Sequence, residues 1–352
     1  MNLFETSEWL YLYMPIVGAN FFWPGLILIG FAAGTIGGFF GMGGAWMVTP
    51  GLNILGFPMA FAIGTDMANV AGKSMTSTMR HSKLGNVDYK LAFLMLMGTM
   101  IGIELGAKLV MFLERVGSVG SVVRWVYVVF LALMATLVFY DCSNTTKAKK
   151  AGDLGKHGAK GIKWFATLQR IRIPPMMTFQ TAGFTCSLWL PAGVSLLTGL
   201  LAGLLGCGGL LLSMPALVYL IGCPIHIAVG TDLFGAMISG FYGAFTYSMK
   251  GRIEIVTVFV MLTGAAVGGQ IGTSATKYAK GYGIRLAFGT AVICCMISVV
   301  LKELEFGSIA ATLILTTLAL LCLYIIKILI QGVLMELREK KRMARYSFLT
   351  SR

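Results

Sequence analysis

Asp66, Asn69, Lys73, Thr76, Ser77 and Arg80 recur at spacings of three and four residues, so on a helix they share one face. The chain around them carries little charge. Of its 352 residues 57% are hydrophobic and 12% charged, about half the charged fraction of an average soluble domain. Apolar runs of about 20 residues, each able to cross roughly 30 Å of hydrocarbon, follow one another nearly end to end. This excludes a soluble enzyme and predicts an all-α polytopic membrane protein. A charge at membrane depth costs roughly 2.5 to 3.5 kcal/mol on insertion scales, so it faces a partner or a watery cavity. Asp66 and Lys73 are two turns apart. Either they bracket a solute, with Lys73 offering positive charge to an anion, or they form a buried structural pair relayed by Asn69. Asp232, Ser239, Tyr242 and Thr246 make the corresponding stripe later in the chain. Arg80 reads as a snorkelling anchor at the membrane edge.

A second signal is glycine. GGFFGMGG is followed by Pro50 and by GTD at 64–66; GLLGCGG is followed by Pro215 and by GTD at 230–232. Glycines let helices approach closely, and backbone N–H groups at the start of a broken helix make a positively polarised anion site. Secondary transporters bind substrate at such breaks. Gly41, Gly43 and Gly44, with Gly206, Gly208 and Gly209, are therefore candidates for substrate binding, and close packing is the competing reading. Packing is the preferred reading for the ladders Gly98, Gly102, Gly106 and Gly264, Gly268, Gly272. Glu104 and Lys108, at i and i+4, form a helix-stabilising ion pair or, through Glu104, supply a coupling carboxylate. Gln270 stands in the place equivalent to Glu104. His226, after Pro224, reads as a cap or interface residue.

The elements that must position these residues come in two copies. GMGGAWMVTPGL aligns with GCGGLLLSMPAL at an offset of 165, and GFPMAFAIGTDM with GCPIHIAVGTDL at 166, a register kept by Gly85 and Gly251. Apolar length and Gly/Pro punctuation predict spans at 22–43, 45–57, 59–81, 89–113 and 121–140, then at 187–206, 209–222, 224–248, 254–277, 284–301 and 307–330. The short 45–57 and 209–222 segments read as broken or re-entrant helices. The expected organisation is a first transmembrane repeat over 1–141, a basic loop over 142–182, a second repeat over 183–330 and a basic tail over 331–352.

The net charge of +14 is a topology signal. Half of the 28 Lys and Arg fall in the 142–182 loop and the tail, and residues 1–72 contain none. This is the asymmetry of the positive-inside rule, not of a nucleic-acid-binding face. With the acidic N-terminus outside and the short segments counted as crossings, Arg80, His81, Lys83, Lys90, the loop and the tail fall inside. Five crossings before the loop make the repeat inverted. If the short segments re-enter instead, Arg80, His81 and Lys83 move outside. Lys250 and Arg252 sit on the wrong side in the first scheme, partly offset by Glu254. Attraction to anionic lipid accounts for the loop lysines, and Glu5 and Glu8 argue against a signal peptide. The seven cysteines are odd in number, contain no C-x-x-C and read as small core residues. H-E-x-x-H, P-loop and G-x-S-x-G motifs do not occur, so neither cofactor, metal nor on-chain ATP motor is expected.

Two inverted halves, each with a G-x-G-G element, a proline shortly after and an A-x-G-T box, resemble the TauE/SafE sulfite exporter family, also called the toluene sulfonate uptake permease family. The resemblance covers roughly residues 22–330 and both motif copies. It implies a secondary transporter of a prokaryotic cytoplasmic (inner) membrane that moves sulfite, thiosulfate or organosulfonates, usually outward. The matching positions are Gly41, Gly43, Gly44, Pro50, Gly64 and Thr65, with Gly206, Gly208, Gly209, Pro215, Gly230 and Thr231. The box commonly ends in serine, whereas here it ends in Asp66 and Asp232. Two carboxylates beside an anion site would repel the anion unless protonated, paired with Lys73 or holding a cation. The expectation is that Asp66 and Asp232 couple a proton or cation, while glycine-rich backbone, Thr65, Thr231 and Lys73 hold the anion. An uncoupled channel, or an embedded enzyme or assembly factor, is the alternative.

Overall fold

The computed structural model describes residues 9–40, 44–150, 174–179, 181–207, 210–278 and 282–350. A hairpin of β1 (Tyr11–Met14) and β2 (Ala19–Phe22) leads into α1 (Trp23–Phe40), α2 (Val48–Ile54), α3 (Met59–Lys83), α4 (Tyr89–Arg115) and α5 (Val119–Lys150). A second hairpin, β3 (Met176–Phe179) with β4 (Phe184–Ser187), leads into α6 (Trp189–Leu205), α7 (Leu210–Pro215), α8 (Ile225–Met249), α9 (Ile255–Thr276) and α10 (Tyr282–Glu303). The order repeats element for element, and α11 (Gly307–Thr350) is added at the end. The chain is an all-α polytopic membrane protein apart from the two short hairpins.

Helix pairing follows the repeat. In α1 and α9, a Cβ on Gly30, Gly34 or Gly38 would lie 2.1, 2.3 or 2.5 Å from the carbonyl of Met261, Ala265 or Gly269, so the two backbones touch along parallel axes. The equivalent pair, α4 and α6, touches in the same way at Gly102, where a Cβ would lie 2.4 Å from the Leu196 carbonyl. The glycine ladders are therefore packing seams, as expected. Between these pairs, α3 crosses its own counterpart α8: Gly64 abuts Arg252, Gly240 abuts Ala71 and Gly230 abuts Asn86. Contacts that run head to tail make α3 and α8 antiparallel, and the two halves are inverted.

The short helices are half-helices. Gly44, at φ +57, packs 2.3 Å from the Ala33 carbonyl, Gly51 lies against Ile29 and Leu55 against Gly25, so α2 runs back along the first half of α1. The chain returns to the end where α1 began, which is the return that counting the segment as a crossing requires. Pro50 sits in the first turn of α2, where its missing N–H leaves no helical bond unmade. After Pro215 the second short segment continues as π-helix over Ala216–Ile221 and stops at Gly222, φ +85.

The described helices add three details. Among the described residues six helices are long and apolar enough to span alone; α3 is not one of them, because its polar stripe lowers its hydropathy and needs burial by its neighbours. The loop expected from residue 142 begins with helix, since no Gly or Pro interrupts α5 between Gly120 and Gly152. Its last residues form the β3–β4 hairpin, whose four-residue strands are too short for a periodic signal.

Candidate functional site

In the first half, α2 and α3 meet the end of α6. Thr49 Oγ1 on α2 donates to Asp66 Oδ2 on α3 at 3.0 Å, and both residues are fully buried. Asn69 and Lys73 follow one and two turns on; Lys73 acts on the same carboxylate electrostatically, and its Nζ is buried. Gly206, at φ +79, closes α6 against this cluster, where a Cβ would lie 2.7 Å from Thr49 Oγ1. A side chain there would strike the threonine that holds Asp66. Tyr127 on α5 donates to the Leu205 carbonyl, and Tyr247 on α8 donates to Gly203 at 2.5 Å, so two phenols tie down the carbonyl end of α6. Cys207 adjoins Lys73 electrostatically. Asp66 and Lys73 thus form an electrostatic couple beside the buried end of α6 from the other half.

In the second half, Ser213 on α7 donates to Asp232 on α8, while Asp232 Oδ2 is buried and makes no hydrogen bond among the described residues. Asp232 lines a cavity of about 30 Å³ together with Thr99, Thr198, Ser213, Thr231 and Ser239. Repeat alignment explains the gap: Asn69 and Lys73 correspond to Gly235 and Ser239, and around the Gly235 Cβ position nothing lies within 4 Å.

Thr65 and Thr231 have a shared structural task. Glu254 N donates to Thr65 Oγ1 at 3.1 Å, and Asp88 N donates to Thr231 Oγ1 at 2.9 Å. Asp88 and Glu254, themselves equivalent, each receive the turn of a hairpin. Asp88 accepts from Leu91 N at 3.0 Å and Ala182 N at 3.2 Å, and Glu254 accepts from Ile16 N at 2.8 Å and Val17 N at 3.0 Å. Each threonine accepts one N–H and keeps a hydroxyl proton.

Glu104 pairs with Lys108 at 3.8 Å and with Lys250 at 3.7 Å and is one-third exposed, apart from the residues lining the second-half cavity. Arg252 pairs with Glu114 at 3.0 Å. Lys250 and Arg252 are therefore balanced by Glu104 and Glu114; Glu254, assigned that duty from sequence, binds the hairpin turn instead. Gly41, Gly43, Gly208 and Gly209 lie outside the described residues, as do the side chains of Thr76 and Arg80. Among the described residues no disulfide forms and no cluster of three or more metal-ligating side chains occurs. Sequence reasoning missed Thr49, Tyr127, Ser213, Thr99 and Thr198, whose hydroxyls sit on apolar helices away from the charged stripes. Asp88 and Glu254 announce themselves only as a repeated acid just before a helix.

Comparison with known proteins agrees with this architecture. A family model described as "Sulfite exporter TauE/SafE" matches residues 26–299. The "Probable membrane transporter protein YunE" of Bacillus subtilis (strain 168) is 26% identical over 265 residues, covering 72% of this chain and 88% of the relative. A "Probable membrane transporter protein" of Xylella fastidiosa (strain 9a5c) is 24% identical over 280 residues, covering 78% of this chain and 92% of the relative. No solved structure matches. With inverted halves, paired half-helices and a match spanning well over half its length, the chain belongs to the TauE/SafE sulfite exporter family of membrane transporters.

Proposed function

We propose that this protein is a secondary transporter, not an enzyme, that exports small sulfur-containing anions such as sulfite, thiosulfate or organosulfonates across a cytoplasmic membrane. The observation that carries the reading is the buried Asp66–Lys73 couple with Thr49, placed where the end of α6 meets α2 and α3. Lys73 offers the positive charge an anion needs, and Asp66 balances it when the anion is away. The glycine-rich backbone at Gly41, Gly43, Gly44, Gly206, Gly208 and Gly209, with Thr65 and Thr231, supplies further donors. Asp66 and Asp232 are the candidates for coupling; Glu104, already in two ion pairs, is the weaker one.

Orientation follows the charge. Lys277 at the end of α9 pairs with Glu336 on α11 at 3.0 Å, and Gly289 near the start of α10 abuts Phe139 of α5, so the start of the tail and the later part of α5 lie at the same end. In this reading that end faces the cytoplasm, with the N-terminus outside, and residues 142–182 and 331–352 are its basic loop and tail. The cavity beside Asp232 has room for about two waters, so passage of an anion requires the helix pairs to move apart. A thermal-shift screen against sulfite, thiosulfate, sulfate and sulfonates tests the substrate class. Saturable stabilisation by a sulfur anion, absent with chloride at equal ionic strength, is the expected result; indifference to all of them would overturn it.

A further inference from the structure

The cavity beside Asp232 has a chemical bias. Thr99 Oγ1 donates to the Met95 carbonyl at 2.9 Å, Thr198 Oγ1 to Ser195 at 3.1 Å, Ser239 Oγ to Ala236 at 3.4 Å, and Ser213 to Asp232 itself. A hydroxyl has one proton and two lone pairs. With the proton committed to its own helix or to the carboxylate, each of these groups turns acceptor oxygen towards the space. Thr231 Oγ1 accepts the Asp88 N–H. Among the described residues the lining includes no Lys, Arg or His, and Asp232 is its titratable group. An acceptor-lined pocket around a carboxylate repels an anion and suits a cation.

The repeat sharpens this. Position by position, Thr99 and Thr198 correspond to Ala265 and Ala33 of the other half, and Ser239 corresponds to Lys73. The first half meets Asp66 with a tethered ammonium and the Thr49 hydroxyl. The second half meets Asp232 with hydroxyl oxygens and a gap of about 30 Å³, room for about two waters. One carboxylate supplies one negative charge, fewer than divalent ions usually gather from protein ligands.

We propose that the cavity between α4, α6, α7 and α8 binds a single monovalent cation, Na⁺ or a hydrated proton, through Asp232 and the hydroxyl oxygens of Thr99, Thr198 and Ser239. Lys73 is the built-in equivalent of that cation in the first half. This deepens the transport reading by giving the two halves different duties, with the exchangeable cation in the second. Cation binding is measurable without any sulfur anion present, so its failure and the failure of the substrate assignment are separate results.

The experiment is thermal unfolding of the purified full chain in choline chloride at constant ionic strength, titrated with NaCl at fixed pH and, separately, acidified without Na⁺. One of the two titrations is expected to stabilise the wild type saturably, with KCl inert; Na⁺ and the proton are told apart by which one does. Asp232→Asn abolishes the response. Thr99→Val and Ser239→Ala, which keep the carboxylate, raise the half-saturating cation concentration about tenfold, the effect of losing one charge-assisted contact. A wild type that responds to neither titration, a response surviving Asp232→Asn, or an unshifted midpoint in both hydroxyl variants would overturn the proposal. The hydroxyl variants decide the matter if Asp232→Asn does not fold.

Discussion

The backbone N–H of Asp88 donates to Thr231 Oγ1, 143 residues later in the chain, at 2.9 Å. The bond joins the start of α4 in one half to α8 in the other, and Glu254 with Thr65 repeats it in the opposite sense. Because the Asp88 carboxylate also holds Leu91 N and Ala182 N, one buried residue fixes a helix start, a hairpin and the crossing of α3 with α8.

Asp88→Ala leaves two buried N–H groups without an acceptor and is expected to destabilise the protein by about 2 kcal/mol or more. Asp88→Asn keeps one carbonyl oxygen for the helix start and is expected to fall between Ala and wild type. Thermal unfolding in detergent orders the three.

Thr65→Val and Thr231→Val keep volume and remove the acceptor, stranding the N–H of Glu254 and of Asp88. Each is expected to cost about 1–3 kcal/mol. Equal stability of Thr231→Val and wild type in the same assay would mean that this bond contributes nothing to joining the halves.

Gly102→Ala drives a methyl group to 2.4 Å from the Leu196 carbonyl, a contact with backbone that cannot yield without separating α4 from α6. A loss of about 1–3 kcal/mol is expected. Gly193, on α6 with nothing within 4 Å of its Cβ position, is the control. Gly193→Ala should be neutral or stabilising by up to about 1 kcal/mol through helix propensity.

At the opposite end from the basic tail, Arg124 on α5 pairs with Glu303 on α10 at 2.5 Å and donates to Asn53 Oδ1 on α2 at 3.2 Å. Arg124→Gln and Glu303→Gln each leave a partly buried charge alone, and about 1 kcal/mol or more is expected for either. The double variant should lose less than the sum, with a coupling of at least about 0.5 kcal/mol in a double-mutant cycle.

The two halves were legible in sequence because the repeat holds one register from Asp66 to Asp232 and from Gly85 to Gly251. The glycine ladders were legible too, since residues three and four apart on a helix must share a face. What stayed hidden depends on contacts between halves. Nothing local marks Thr65 as the partner of Glu254 or Lys250 as the partner of Glu104, because those distances are set by how α3, α4 and α8 pack. The difference between the two aspartates was half visible. Ser239 opposite Lys73 can be read from the alignment, but the space left by Gly235 and the hydroxyls of Thr99 and Thr198 belong to three different helices and meet only in the fold.

The central claim is that a buried Asp66–Lys73 couple serves anion transport, and radiolabelled sulfite flux into proteoliposomes tests it most directly. Wild-type flux is expected to saturate with sulfite and to respond to an imposed pH or Na⁺ gradient. Lys73→Met is expected to lose at least about tenfold in flux, the effect of removing one charge-assisted contact, and Asp66→Asn to change its dependence on the gradient. Flux that is unchanged in both variants, with unchanged gradient dependence, would contradict the account.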